Sequence, residues 1–206
     1  MIFWYSGCGN SRFVAEELAK GLNQDLVFIP DAARNGNEYI VPNEEVVGFV
    51  FPIYAWAAPK IVTEFIAKMR FENRPKYLFA AVTCGDETGY TYRTFGKFLT
   101  KQGLKLDAFF SFKMPETYIN LPGFKLDTPE NEKSKIDAVK EQLPKVITSI
   151  AKREQGNYDE LHVLNSAYKL LMATMNTIER PDAYNSGSFE SDVIKAIEYL
   201  HSVIFF

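Results

Sequence analysis

The sequence predicts an α/β fold: a doubly wound, five-stranded parallel sheet of order 2-1-3-4-5, helices on both faces, and a helical extension at the C-terminus. Three observations lead there. Short apolar runs alternate with helical periodicity from residue 1 to about 153, the pattern of successive right-handed crossovers. The runs are β-branched or aromatic, as strands buried on both faces are. The first run ends in a glycine-bearing turn that opens a helix, and for a chain with that corner the order 2-1-3-4-5 is the natural choice.

Ile2-Phe3-Trp4-Tyr5 reads as the first strand, and Phe13, Val14, Leu18 and Leu22 give 11–22 its helical spacing. Runs at 26–29 and 46–51 supply the second and third strands. A helix over 59–70 follows, with Pro59 suited to its first turn. Runs at 77–83 and 107–112 give the fourth and fifth strands, separated by a helix over 92–102. The next helix spans 131–153, and Leu143-Pro144 within it predicts a kink or restart, because proline there cannot donate an N–H. Its charge run at 130–141 reads as a solvated face. Residues 1–153 form one domain, and 154–206 form the helical extension. In that extension 157–180 carries Leu161, Leu164, Tyr168, Leu171 and Met175 on one face, 180–188 reads as a linker, and 189–203 is helical again. The tail Val203-Ile204-Phe205-Phe206 is apolar enough that it docks or is sticky.

Composition narrows the function classes. A chain of 206 residues with 47% apolar and 24% charged residues has ample material for a core. Net charge −3 gives no basic footprint for nucleic acid or an anionic membrane. The two cysteines, Cys8 and Cys84, make no disulfide framework, so a reduced cytoplasmic setting is expected. No basic leader opens the chain, and no run reaches the ~18 apolar residues of a membrane span. Residues 161–178 come nearest and are interrupted by His162, Asn165 and Lys169. His162 and His201 stand alone, so neither a Ser/His/Asp set nor a metal-ligand spacing can be assembled.

The chemistry concentrates in Ser6-Gly7-Cys8-Gly9-Asn10-Ser11. A buried strand, a glycine turn and a helix start in succession aim orphan N–H groups and the positive helix end at one spot, where a phosphate can sit. Gly7 and Gly9 allow close approach and positive φ, while Ser6, Asn10 and Ser11 offer side-chain donors. No lysine or arginine lies within the loop. The run fits neither G-x-x-x-x-G-K-[ST] nor G-x-G-x-x-G, which argues against a nucleoside triphosphate loop and a Rossmann dinucleotide turn.

The loop resembles the phosphate loop of flavodoxins, T/S-x-T-G-N-T/S, with Cys8 where a hydroxyl residue is usual. That resemblance implies a flavodoxin-like fold over 1–153 and noncovalent FMN, its phosphate held by Ser6, Asn10, Ser11 and the amides of residues 7–11. Two further loops are similar to flavin loops of that family. Pro52-Ile53-Tyr54-Ala55-Trp56, framed by Pro52 and Pro59, places aromatic rings at a strand end, where Tyr54 and Trp56 would shield the isoalloxazine. Thr83-Cys84-Gly85-Asp86-Glu87-Thr88-Gly89-Tyr90 would meet the ring edge through Gly85 and Gly89, with Tyr90 or Tyr92 as an outer face. Asp86 and Glu87 would place negative charge there and lower the flavin potential. The Cys84 side chain itself reads as a small buried hydrophobe, while Cys8 stands at a helix N-terminus, where position alone leaves a redox role as the lesser reading.

A narrower likeness rests on Ser-Gly-x-Gly-Asn-Ser, Pro-Ile-Tyr-x-Trp and Met114-Pro115-Glu116-Thr117-Tyr118-Ile119. It is to bacterial and archaeal proteins that fuse a flavodoxin half to a ferredoxin half with two [4Fe–4S] clusters. Cluster runs of C-x₂-C-x₂-C-x₃-C-P are absent here, so this polypeptide lacks the cluster ligands. The resemblance implies an electron carrier whose partner is a ferredoxin or other iron–sulfur protein, or an NAD(P)H-dependent reductase. Two alternatives share the fold: an NAD(P)H-dependent quinone or small-molecule reductase, and a flavin-free phospho-ligand module.

Overall fold

In the computed structural model, which describes residues 1–34, 36, 38–117 and 126–161, the chain is α/β with a parallel central sheet. The elements are β1 (Ile2–Trp4), α1 (Asn10–Leu22), β2 (Leu26–Phe28), α2 (Ile29–Ala33), β3 (Tyr39–Val41), β4 (Val46–Pro52) and α3 (Lys60–Ala67). There follow β5 (Met69–Phe71), β6 (Tyr77–Cys84), α4 (Thr91–Lys101), β7 (Ala108–Lys113), α5 (Pro129–Ala151) and β8 (Gly156–Tyr158). The described residues to Leu161 belong to one compact unit, Met1–His162. The helices expected over 157–180 and 189–203, the linker and the apolar tail lie, but for residues 157–161, outside the described residues.

The central sheet has six strands in the order β2-β1-β4-β6-β7-β8, not five in the order 2-1-3-4-5. The five anticipated strands are β1, β2, β4, β6 and β7, and every pairing is parallel. The sixth, β8, pairs with β7 through Ala108↔Gly156 and Phe110↔Tyr158, so residues 157 and 158, expected as the start of a helix over 157–180, are strand instead. Three residues with one apolar side chain carry no strand signature. A second sheet, β3-β5, is likewise built of three-residue strands, paired in parallel from Tyr39↔Met69 to Val41↔Phe71.

Period-two alternation distributes the apolar side chains to two cores. Phe49, Phe51, Leu78, Ala80, Val82 and Phe109 point to one face, where they meet Val62, Phe65 and Ile66 of α3 and Phe95 and Leu99 of α4. Val50, Phe79, Ala81, Phe110 and Phe112 point to the other, onto Val14 and Leu18 of α1 and Val139, Leu143 and Val146 of α5. Each central strand is thus covered on both sides, which explains why its sequence reads as a near-continuous apolar run. Truncating a ring such as Phe79, 0% exposed, to alanine costs about 3–5 kcal/mol.

Pro144 does not restart its helix: α5 runs unbroken from Pro129 to Ala151. Pro144 lies exposed, and its carbonyl accepts the Thr148 hydroxyl at 2.8 Å, so the missing N–H is left on the solvent side. Thr128 caps the start of α5 by accepting the Asn131 N–H, with Pro129 in the first turn. Among the described residues no helix is long and apolar enough to cross a membrane.

Candidate functional site

Because the sheet is parallel, the loops after β1, β4, β6 and β7 leave from the same edge. Backbone bonds fix their roots: Tyr5 N–H to the Val50 carbonyl at 2.9 Å, Ile53 N–H to Thr83 at 2.9 Å, and Met114 N–H to Cys84 at 2.8 Å. The loops after β1, β4 and β6, with the strand and helix ends that flank them, carry every residue assigned to cofactor binding from the sequence.

In the first loop Gly9 adopts φ +101°, a left-handed conformation that suits glycine, and stands just before α1. Ser6 Oγ accepts the Gly9 N–H at 3.0 Å, and the Gly9 carbonyl accepts the Phe13 N–H at 2.9 Å. The amides of Gly7, Cys8, Asn10, Ser11 and Arg12 have no acceptor among the described residues. The last three are the orphan donors of a helix start, where the helix dipole is positive. Gly7, Cys8, Gly9 and Arg12 are exposed and Asn10 is half-buried, so the array opens to solvent except at the buried Ser11. Arg12 is turned to an exposed ion pair with Glu16 at 2.7 Å, and the loop relies on neutral donors.

Two of the anticipated side-chain donors serve the scaffold instead. Ser11 is 0% exposed, and its hydroxyl bonds Thr83 Oγ1 at 2.8 Å. Asn10 spends one side-chain N–H on the Pro115 carbonyl at 2.9 Å. Ser6 uses its oxygen as an acceptor and keeps its own O–H.

The second loop makes a tight turn. Tyr54 and Ala57 exchange both backbone hydrogen bonds at 3.0 Å, with Ala55 at φ 47° and Trp56 at φ 58°. Positive φ at both central positions defines a type I′ turn, which ordinarily selects Asn-Gly; here each residue costs about 1–2 kcal/mol. Two anchors impose it. Thr91 Oγ1 reaches the Trp56 carbonyl at 2.9 Å, and the Trp56 indole N–H donates to the Glu87 carboxylate. Burial pushes the Glu87 carboxyl up from its ordinary value, and nearby Asp86 adds to this, while the indole bond opposes it. Pro52 and Ile53 are half-buried, and Ile53 packs on the α3–α4 core.

Tyr54, 48% exposed, folds back over the first loop. Its ring meets that of Tyr5 edge-on at 6.3 Å, and the two hydroxyls are hydrogen-bonded. Burial first, then Tyr5, pushes the Tyr54 phenol well above its usual value. A Cβ at Gly7 would stand 2.9 Å from the Tyr54 hydroxyl, so glycine there leaves room for the ring.

The third loop is the hub. Thr83 is buried against Ser11, and Cys84 is half-buried near Asp159 and Asp86; burial first, then those two carboxylates, pushes its thiol up to about 12. A thiol held that high stays protonated and is a poor nucleophile. At Gly85 a Cβ would lie 2.0 Å from Glu116 Oε2, so a side chain there requires the Glu116 carboxylate to move aside. Its carbonyl accepts Lys135 Nζ at 3.1 Å, while Lys135 also pairs with Asp127 at 2.6 Å. Asp127 in turn accepts the Glu116 N–H at 2.7 Å, which fixes the chain after β7. Asp86 is exposed and pairs with Lys113 at 2.9 Å. Gly89 is buried at φ 56°, and Tyr90 carries the Arg93 guanidinium 5.9 Å above its ring. Tyr92 is not an outer face; it packs on Phe109 in the α3–α4 core.

Thr88, Thr91, Asp159, Asp127 and Lys135 were not singled out by sequence reasoning. Their contacts join residues far apart in the chain, and no local spacing announces them. Two clefts open elsewhere, one beside the end of α1 and the start of β2, the other lined by Arg74, Lys76, Lys105 and Gln155 near the starts of β6 and β7. Neither contains a residue assigned to a ligand by sequence. Among the described residues no three His, Cys, Asp or Glu side chains gather to hold a metal ion.

Fold and site together define an α/β protein with a helix start whose amides lack acceptors among the described residues and aromatic loops along one sheet edge. No protein-family model matches the chain, and no curated protein does. Among solved structures it is similar to the Trp repressor binding protein from Bacillus subtilis, at 13% identity over 69% of this chain and 95% of that one, with a TM-score of 0.39.

Proposed function

We propose that this chain is a flavodoxin-like protein that binds FMN noncovalently at the carboxyl edge of its sheet and carries electrons. The observation that carries the reading is the array of five amides at Gly7, Cys8, Asn10, Ser11 and Arg12, without acceptors among the described residues and set beside an aromatic turn. A phosphate monoester suits that array, because neutral N–H groups and the helix dipole hold its charge without a basic side chain.

FMN, when bound, supplies the electron transfer through its isoalloxazine ring. The chain's own residues bind and tune. The amides of residues 7, 8 and 10–12 anchor the phosphate, and Ser6 adds an O–H. Tyr54 and Trp56 exclude water from a planar group beside them. Gly85 and Gly89 let backbone approach the ring edge, and Asp86 and Glu87 disfavour added negative charge there, which lowers the potential. Electrons pass to or from a ferredoxin, another iron–sulfur protein or an NAD(P)H-dependent reductase. A cluster partner acts in trans, since Cys8 and Cys84 alone cannot ligate one.

A second reading, a flavin-free module for a small phosphorylated ligand, draws on Tyr54: its hydroxyl lies against Gly7 and narrows the space over the loop. Gel filtration after incubation with FMN separates the two. Protein that elutes yellow and bleaches with dithionite supports the carrier; a colourless peak at saturating FMN sinks it. Steady-state oxidation of NADPH with a quinone would instead indicate a reductase.

A further inference from the structure

Thr88 is fully buried at the tip of the third loop and donates its hydroxyl to Asp159, itself 5% exposed. Asp159 uses both carboxylate oxygens: Oδ2 takes the Thr88 hydroxyl, and Oδ1 takes the Leu161 N–H at 3.0 Å. The Leu161 carbonyl accepts the Thr88 N–H at 3.2 Å, which closes a ring of three hydrogen bonds. This ring locks the loop after β6 to the chain leaving β8.

Its effect reaches the aromatic turn. The Thr91 hydroxyl lies 2.7 Å from the Thr88 carbonyl and 2.9 Å from that of Trp56, while Glu87 holds the Trp56 indole. Left-handed conformations at Ala55 and Trp56 persist only where the surroundings impose them, and residues 87–91 are those surroundings.

We propose that Asp159 is a positioning residue for the binding site: it fixes Thr88, and through the 87–91 segment it holds the 54–57 turn in its left-handed form beside the α1 N-terminus. It touches no ligand. Asparagine at 159 presents one oxygen and one NH₂: with its oxygen on the Leu161 N–H, its NH₂ faces Thr88 Oγ1, and the Thr88 O–H loses its charged acceptor. The consequence for affinity rests on the FMN reading; the consequence for the turn does not.

The test uses the full chain carrying Trp4→Phe, so that Trp56 is the sole indole, with Asp159→Asn, Thr88→Val or Thr88→Ser added. Trp56 emission without FMN reports the turn, and flavin fluorescence titration reports affinity, both at a temperature where melting curves show every variant folded. Asp159→Asn and Thr88→Val are expected to red-shift Trp56 and weaken FMN binding about tenfold, the scale of one lost buried hydrogen bond. Thr88→Ser, which keeps the hydroxyl, restores both readouts, and Asp159→Asn with Thr88→Val is no worse than either alone. Emission and affinity within about twofold of the parent in both variants, or Thr88→Ser as damaging as Thr88→Val, overturns the proposal. If the parent fails to bind FMN, the FMN reading falls separately. Trp56 emission then decides: a red shift in Asp159→Asn supports the positioning role, and an unchanged spectrum overturns it.

Discussion

Asn10 donates its side-chain N–H to the carbonyl of Pro115 at 2.9 Å, joining the first residue of α1 to the chain that leaves β7. The bond orients Asn10 at the mouth of the amide array and joins two loops whose residues are 105 positions apart in the chain. It also explains why a residue ordinarily expected to face a phosphate is half-buried.

Asn10→Asp should therefore damage binding more than stability. The new carboxylate cannot donate to Pro115, and it sets a negative charge where the phosphate would lie. FMN affinity is expected to fall at least about tenfold, while unfolding free energy drops by about 1 kcal/mol. Flavin titration and urea unfolding check the two halves independently.

Ser11→Ala should do the reverse. The Ser11 hydroxyl is buried on Thr83, so its removal leaves Thr83 Oγ1 without that partner and costs about 1–3 kcal/mol of stability. The Ser11 amide is untouched, and FMN affinity should stay within about threefold of the parent. A large affinity loss with unchanged stability would place the hydroxyl on the ligand instead.

Ala55→Asn tests the turn. Asparagine tolerates the left-handed region better than alanine, so this change at φ 47° should raise the unfolding free energy by about 0.5–1 kcal/mol. Urea unfolding measures it, and a loss of stability would contradict the assignment of strain to this residue.

Glu87→Gln carries a pH signature. Burial holds the Glu87 carboxyl above its ordinary 4.5, so the folded chain binds that proton more tightly than the unfolded chain. The resulting stability is fully present below the unfolded value and is lost as pH rises through the folded one. Glutamine still accepts the Trp56 N–H and never carries the charge. The variant should match the parent near pH 4 and exceed it near pH 7 in urea unfolding. A constant difference at both pH values would refute the coupling.

The sequence made the central strands legible because burial on both faces imposes unbroken apolar runs such as Val46–Phe51 and Tyr77–Thr83. It made Gly9 legible because a strand, a turn and a helix start follow one another without a gap. Where the structure departs from expectation, the cause is tertiary. β3, β5 and β8 are three-residue strands defined by neighbours rather than by their own pattern. Pro144 sits on an exposed face, so the helix passes through it. Ser11 faces Thr83 because the second residue of α1 lies over β6, a fact no motif encodes. The Thr88–Asp159 bond joins residues separated by 71 positions.

The central claim is that the amides of residues 7, 8 and 10–12 hold a flavin by its phosphate. Parallel equilibrium titrations with FMN and with riboflavin, which lacks only the phosphate, test it most directly. FMN should bind one-to-one and at least about 100-fold more tightly than riboflavin, a difference of ~2.7 kcal/mol assignable to the phosphate. Equal affinities, or no binding of FMN at saturating concentration, would contradict the account.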